Sequence, residues 1–153
     1  MKIASFQQNL NKNFITFLSL TILWILVIFS FSLQSGDESS QLSGGIVAWV
    51  VSVICPEDFA HVELLELLIR KAAHFTEYFI LGVLMSLTVR QTDCKKYIIL
   101  PWFLGTMVAC FDETIQLFSV GRAGRIFDVM LDSAGVITGC LILFVVLLAK
   151  SKR

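Results

Sequence analysis

The sequence predicts an all-α polytopic membrane protein, a bundle of about four transmembrane helices with an extra interfacial or re-entrant helical segment. Hydrophobic residues make up 56% of the 153 residues and charged residues only 16%, whereas an average soluble domain has about 25% charged residues. The 12 acidic and 12 basic side chains cancel. The chain therefore lacks the basic surface that a nucleic-acid partner requires, and no such partner is expected.

Four apolar stretches indicate the membrane spans, which we place at residues 14–33, 72–89, 97–118 and 127–149. The first contains no charged residue and is long enough to cross about 30 Å of hydrocarbon. It exceeds the apolar region of a signal peptide, and no A-x-A cleavage site follows it, so we expect it to be retained. The other three spans all contain ionisable residues. A single domain over residues 1–153 is expected.

The outer segment, residues 34–71, separates the first two spans and is too polar to form another one. Its apolar run at 46–54 has nine residues, which suits an interfacial or re-entrant helix better than a span. Residues 59–69 have the pattern of an amphipathic helix lying along the membrane surface. Pro56 is expected to separate these two helices.

Lysine and arginine counts predict the orientation, because short cytoplasmic loops are enriched in these residues. With the N-terminus inside, eight lie on the cytoplasmic side: Lys2, Lys12, Arg90, Lys95, Lys96, Lys150, Lys152 and Arg153. Four lie on the outer side: Arg70, Lys71, Arg122 and Arg125. The sequence therefore predicts a multi-pass protein of the cell membrane with both termini in the cytoplasm.

Eleven of the twelve acidic residues lie in the predicted outer segments or at the outer ends of the spans, and Asp93 is the exception. A helix rises about 1.5 Å per residue, so Glu77, Asp112 and Asp132, on three different spans, lie at a similar depth. We call these three residues the polar layer.

Three helix faces carry these acids. The residues that share a face are Arg70, His74 and Glu77; then Gly105, Ala109, Asp112, Glu113 and Gln116; then Asp128, Asp132, Gly135 and Gly139. Spacings of three, four and seven residues place side chains on one side of a helix. Small residues such as the Gly135–Gly139 pair let helices approach closely in lipid. We therefore expect the acids to point into the bundle.

The polar residues suggest two kinds of site. Candidates for catalysis are His74, Glu77, Asp112, Glu113 and Asp128, among which the imidazole could act as a general acid or base. Candidates for binding an anionic head group are Arg70, Gln116, Arg122 and Arg125, since guanidinium groups bind phosphate or carboxylate in a bidentate manner. The alternative is structural: Arg122 and Arg125 would neutralise the acids in an ion-pair network, with no enzymatic role.

Metal, cofactor and transport functions are less well supported by the sequence. His74 is the only histidine within a predicted span, and nearby arginines disfavour bound cations, so no metal site is predicted. His61 is expected to be solvated. No Cys-x-x-Cys spacing occurs, and no cofactor is expected. Four spans without an internal repeat argue against a transporter.

Taken together, three segments resemble the VanZ-like family of small bacterial membrane proteins. They are residues 31–36 (FSLQSG), 70–78 (RKAAHFTEY) and 112–118 (DETIQLF), the last followed by Gly121-Arg122 and by residues 128–135. Their order and spacing are more specific than any one of them, and they touch all four predicted spans.

The resemblance implies a role in the bacterial cell envelope, with an influence on susceptibility to the glycopeptide antibiotic teicoplanin, but it does not imply a reaction. The partners we expect are membrane lipids or a lipid-linked envelope precursor. Two positions depart from the family pattern. Val120 stands where a proline often precedes the Gly-Arg pair, and Asp132 stands where asparagine is common, so Asp132 is not included among the candidate site residues.

Overall fold

The computed structural model describes residues 2–54, 62–92 and 98–151. Within these ranges the regular secondary structure is entirely helical, which confirms the predicted fold class. The helices are α1 (Lys2–Ser32), α2 (Gly36–Ile54), α3 (Val62–Arg90), α4 (Ile99–Leu117) and α5 (Ile126–Ser151). The predictions for Pro56, His61 and Asp93 concern residues outside these ranges.

Three helical stretches are long and apolar enough to cross a membrane: Lys12–Ser32, Val62–Arg90 and Ile126–Ser151. Helix α4 has 19 residues, but its acidic residues lower its mean hydropathy. Its outward face is nevertheless apolar, since Phe103 and Phe111 are each 59% exposed, and this is the surface that a helix presents to lipid. The assignment of α4 as a fourth span stays a prediction.

Helix α3 differs from the prediction, which separated a surface helix at 59–69 from a span beginning at residue 72. The described part of that segment, from Val62 onward, is continuous with the span in one helix of 29 residues, about 44 Å long. Leucine and glutamate favour helix, and neither proline nor glycine occurs between Val62 and Gly82. Nothing in the local sequence therefore ends the helix, and the separate surface helix is a wrong prediction.

Helix α2 begins with a capping box. The Glu38 carboxylate accepts hydrogen bonds from the Ser35 backbone N–H at 2.8 Å and from its hydroxyl at 3.0 Å, and these bonds hold the pKa of Glu38 below its ordinary value. The predicted helix at 46–54 is the second half of α2. Further along, Ser43 donates to Glu66 at 3.1 Å, which joins α2 to the first turns of α3.

The three long helices and α4 alternate in direction. Thr21 on α1 meets Thr88 on α3 at 3.0 Å, whereas the Trp24 indole donates to the Glu77 carbonyl oxygen at 2.9 Å. The residue number on α1 increases from one contact to the other while the residue number on α3 decreases, so α1 and α3 are antiparallel. Helix α4 is antiparallel to α5 by the same test: Thr106 lies 2.8 Å from Ser133, whereas Glu113, later on α4, contacts Arg125 just before α5.

Helices α3 and α5 are parallel and packed backbone to backbone. A Cβ atom added to Gly135 would lie 2.7 Å from the Phe75 carbonyl oxygen, and one added to Gly139 would collide with the Phe79 carbonyl oxygen. Gly82 on α3 makes the reciprocal approach to Val136. The close contact predicted for the Gly135–Gly139 pair is confirmed.

This alternation brings four chain segments to one end of the bundle: the end of α1, the first half of α3, the end of α4 and the start of α5. A hydrogen bond of 2.9 Å from the Gly36 N–H to the Val120 carbonyl oxygen ties the α4–α5 loop to α2. Gly121 follows with a φ of 75°, a left-handed conformation that favours glycine. Gly121 thus makes the turn that immediately precedes Arg122.

Candidate functional site

The predicted helix faces are the buried ones. On α4 the buried residues are Pro101, Gly105, Ala109, Asp112, Glu113 and Gln116, which reproduces the predicted stripe and adds the proline. On α5, Asp132 is buried with Gly135 and Gly139. The expectation that these acids point into the bundle is confirmed for Asp112, Glu113 and Asp132.

Asp112 is 0% exposed and is held from two sides. The Ser32 hydroxyl, at the end of α1, donates a short hydrogen bond to its Oδ1 atom. The Gln116 amide donates to its Oδ2 atom at 3.2 Å, and the buried Tyr78 side chain lies next to the same carboxyl group. Asp112 thereby joins α1, α3 and α4, and its orientation is fixed.

Asp132 is also 0% exposed, but neither of its oxygens has a hydrogen-bond partner among the described residues. The ionisable group within ion-pair distance is His74, whose Nδ1 atom lies 4.0 Å from Oδ1. Ligand atoms of His74, Asp112 and Asp132 all lie within 4.8 Å of one another. We call these three residues the buried cluster.

The ion pairs differ from those predicted. Asp128 pairs with Lys71, and Glu113 accepts a hydrogen bond of 2.8 Å from the backbone N–H of Arg125. In the described ranges, no carboxylate lies within ion-pair distance of the Arg122 or Arg125 guanidinium groups. The predicted pairing of these arginines with the acids is therefore wrong, because Lys71 and a peptide group take their place.

Two cavities open beside the buried cluster, and both are lined by Arg70, His74 and Arg122. The loop cavity, about 300 Å³, lies against the α4–α5 loop, and its other polar lining residues are Lys71, Gln116, Arg125 and Asp128. The α2 cavity, about 480 Å³, adds Glu77 and an apolar wall that includes Phe31, Ile46 and Ile69. Both volumes fall in the range of small-molecule sites.

Charge in the loop cavity is predominantly positive. Arg70 is bound to Glu66 at 3.0 Å and to the Ser40 hydroxyl at 2.9 Å, and Lys71 is paired with Asp128. Burial, and next to it the charge of Arg70, lower the pKa of Arg122, although a guanidinium remains protonated in proteins. Arg122 is thus a partly desolvated cation beside Arg70, and the carboxyl groups of Asp112, Glu113 and Glu77 act on it from beyond ion-pair distance.

The structure brings together most, but not all, of the predicted site residues. Six line the loop cavity: Arg70, His74, Gln116, Arg122, Arg125 and Asp128. Glu77 faces the α2 cavity, and Asp112 lies behind His74 in the buried cluster. Glu113 instead accepts the Arg125 backbone N–H at the start of α5, a position that orders the loop.

Sequence reasoning missed the contributions of Ser32, Lys71 and Asp132. Ser32 lies in the FSLQSG segment and Lys71 beside Arg70, so motif membership could have indicated both. Asp132 had the right depth and face, and it was set aside only because asparagine is common at this position in the family.

The sequence model of the VanZ/LLP1 family matches residues 17–148. The fold and site therefore belong to a helical membrane protein, and the chain is a member of the VanZ/LLP1 family. The curated proteins contain no significant match to it, and neither do the solved structures.

Proposed function

We propose that the two cavities bind the phosphate- or carboxylate-bearing head group of a membrane lipid or a lipid-linked envelope precursor. The observation that carries this proposal is Arg122, which lines both cavities and has no carboxylate within ion-pair distance in the described chain. A planar guanidinium in this state suits bidentate binding of an anion.

The remaining charges support an anionic ligand over a cationic one at the mouth of the loop cavity. Arg125 also lacks an ion pair with a described residue, whereas Arg70 and Lys71 are already neutralised by Glu66 and Asp128. Two arginines are therefore left for the ligand, which is the number that a doubly charged phosphate monoester would use.

The apolar wall of the α2 cavity supports an amphiphilic ligand. Phe31 and Ile46 are exposed and line this cavity with Ile69, next to the cationic residues. An acyl or prenyl chain could lie against these side chains while its head group reached Arg122. A soluble anion would gain nothing from that wall.

The chemistry available at the site is compatible with binding alone or with modification of the head group. His74 lines both cavities and could serve as a general acid or base. Glu77 faces the α2 cavity, where it could orient a water molecule or hydroxyl group. An influence on glycopeptide susceptibility would follow if the ligand were an intermediate of cell-wall assembly.

The structural alternative keeps a specific basis, because the Lys71–Asp128 and Ser32–Asp112 contacts join helix ends. In that case the charged groups only hold the bundle together. Arg122 takes part in neither contact, so a substitution at Arg122 distinguishes head-group binding from a purely structural role of the charged groups.

Replacing Arg122 with lysine tests the proposal. We expect binding of a fluorescent short-chain phosphatidic acid, measured in detergent, to weaken at least about tenfold, because lysine keeps the charge but loses the planar fork. The melting temperature should stay within a few degrees. Arg90→Lys, at the other end of α3, is the matched control and should bind like the native chain.

Equal binding of phosphatidic acid and phosphatidylcholine would contradict the proposal, as would native affinity in Arg122→Lys. Repeating the titration with a polyprenyl phosphate distinguishes a bilayer lipid from a lipid-linked precursor. Glycopeptide tolerance of cells that express the same variants at equal levels then reports whether the site affects the cell envelope.

A further inference from the structure

The buried cluster has the composition of a metal site. It offers one imidazole nitrogen and two carboxylate oxygens from three different helices, all within 4.8 Å of one another. Two ligands at about 2.1 Å from one ion can be at most about 4.2 Å apart. Small rotations of the side chains would therefore complete the coordination.

Asp132 provides an independent indication that a cation belongs here. Its side chain is 0% exposed, and both of its oxygens lack a hydrogen-bond partner among the described residues. The Nδ1 atom of His74, which faces it at 4.0 Å, is also buried without a hydrogen-bond partner in the same ranges. Buried polar groups normally have partners, so these atoms point at a missing one.

The surrounding groups orient the third ligand in the manner typical of metal sites. Ser32 donates to one oxygen of Asp112 and Gln116 to the other. Each carboxylate oxygen has two acceptor positions, and both oxygens therefore keep the capacity to bind an ion. Hydrogen bonds of this kind fix the direction of metal ligands and raise their affinity.

We propose that His74, Asp112 and Asp132 bind a divalent first-row transition-metal cation of the Zn²⁺ or Mn²⁺ type. A mixed nitrogen and oxygen set favours these ions, whereas Ca²⁺ and Mg²⁺ prefer oxygen ligands throughout. A divalent charge neutralises the two carboxylates. Three protein ligands also leave a coordination position for water or a ligand oxygen.

This proposal revises the sequence-based expectation of no metal site. That expectation considered one histidine and two nearby arginines, and it set Asp132 aside. In the structure the Arg125 backbone N–H donates to Glu113, and Arg122, which lines both cavities with His74, makes no ion pair with a described carboxylate. The metal proposal does not rest on head-group binding. Metal uptake is measured without added lipid, so the failure of one proposal is distinguishable from the failure of the other.

Metal content and affinity test the proposal directly. The full chain, stripped with a chelator in detergent, should take up one Zn²⁺ or Mn²⁺ per chain by elemental analysis, and its melting temperature should rise with metal concentration. X-ray absorption at the metal edge should show one imidazole among oxygen ligands. Asp132→Asn and His74→Gln should weaken binding about a hundredfold, and Ser32→Ala about tenfold.

Asp37→Asn, an exposed position on α2, is the matched control and should bind metal like the native chain. Native affinity in Asp132→Asn would overturn the proposal. Failure of the native chain to take up Zn²⁺ or Mn²⁺ would also overturn it, and a higher melting temperature in metal-free Asp132→Asn would then show that the buried carboxyl group holds a proton. If a variant does not fold, uptake and the absorption spectrum of the native chain still decide.

Discussion

Individual residues of the site differ mainly in how their polar atoms are satisfied. Asp112 and Asp132 are both fully buried, yet Asp112 has donors from Ser32 and Gln116 and Asp132 has none among the described residues. The depth and face of both acids could be predicted from helical spacing. Their partners could not, because the choice of donor depends on which side chain of a neighbouring helix reaches the carboxylate.

Ser32 provides a test at this scale. Ser32→Ala should lower the free energy of unfolding by about 1–3 kcal/mol, since a buried carboxylate oxygen loses its donor. Ser30 is exposed and bonds only to its own helix, so Ser30→Ala should change stability by no more than about 0.5 kcal/mol. Unfolding by denaturing detergent measures both. Equal effects of the two substitutions would show that the Ser32–Asp112 bond contributes nothing.

At the scale of elements, the positions of helix faces follow from sequence more closely than helix ends do. The predicted stripe of α4 is its buried face, because burial in a bundle selects small and polar residues at helical spacing. The end predicted between residues 69 and 72 was wrong, since a change in polarity does not stop a helix that lacks a breaker. Polarity reports the environment of a segment, and backbone chemistry determines where a helix ends.

The contact between α3 and α5 yields a prediction of its own. Gly139→Leu should lower the free energy of unfolding by at least about 3 kcal/mol, because the leucine side chain would collide with the Phe79 carbonyl group. Ala134 lies on the exposed side of the same helix, and Ala134→Leu should be nearly neutral. Melting curves of the two variants in one detergent make the comparison. A neutral Gly139→Leu would show that the two backbones are not in contact.

At the scale of the whole molecule, the alternating helices place all the polar groups of the site at one end of the bundle. The structure establishes this relative arrangement, whereas the direction of the bundle in the membrane is predicted from the lysine and arginine counts. The count favours the site end as the outer one. The envelope role proposed above requires that direction.

Cysteine labelling from outside the cell tests the orientation. In a cysteine-free background, Ala123→Cys in the α4–α5 loop should react with a membrane-impermeant maleimide, since Ala123 is exposed at the site end. Ser151→Cys, at the end of α5, should react only after permeabilisation. The opposite pattern would reverse the topology. A variant that keeps Cys55 as its one cysteine, in the predicted outer segment, should behave like Ala123→Cys.

The spacing of the cations along α3 has a consequence for the choice of membrane. Lys71 and Arg90 are separated by about 28 Å of helix, close to the hydrocarbon thickness of an average bilayer. Each of these side chains favours a membrane–water interface, so the distance between them sets the hydrocarbon thickness that α3 fits best. In a thicker, more ordered membrane the mismatch would draw the cavity mouths toward the acyl chains, and in a thinner one they would stand clear. Lipid composition would thereby regulate access to the site without binding to it.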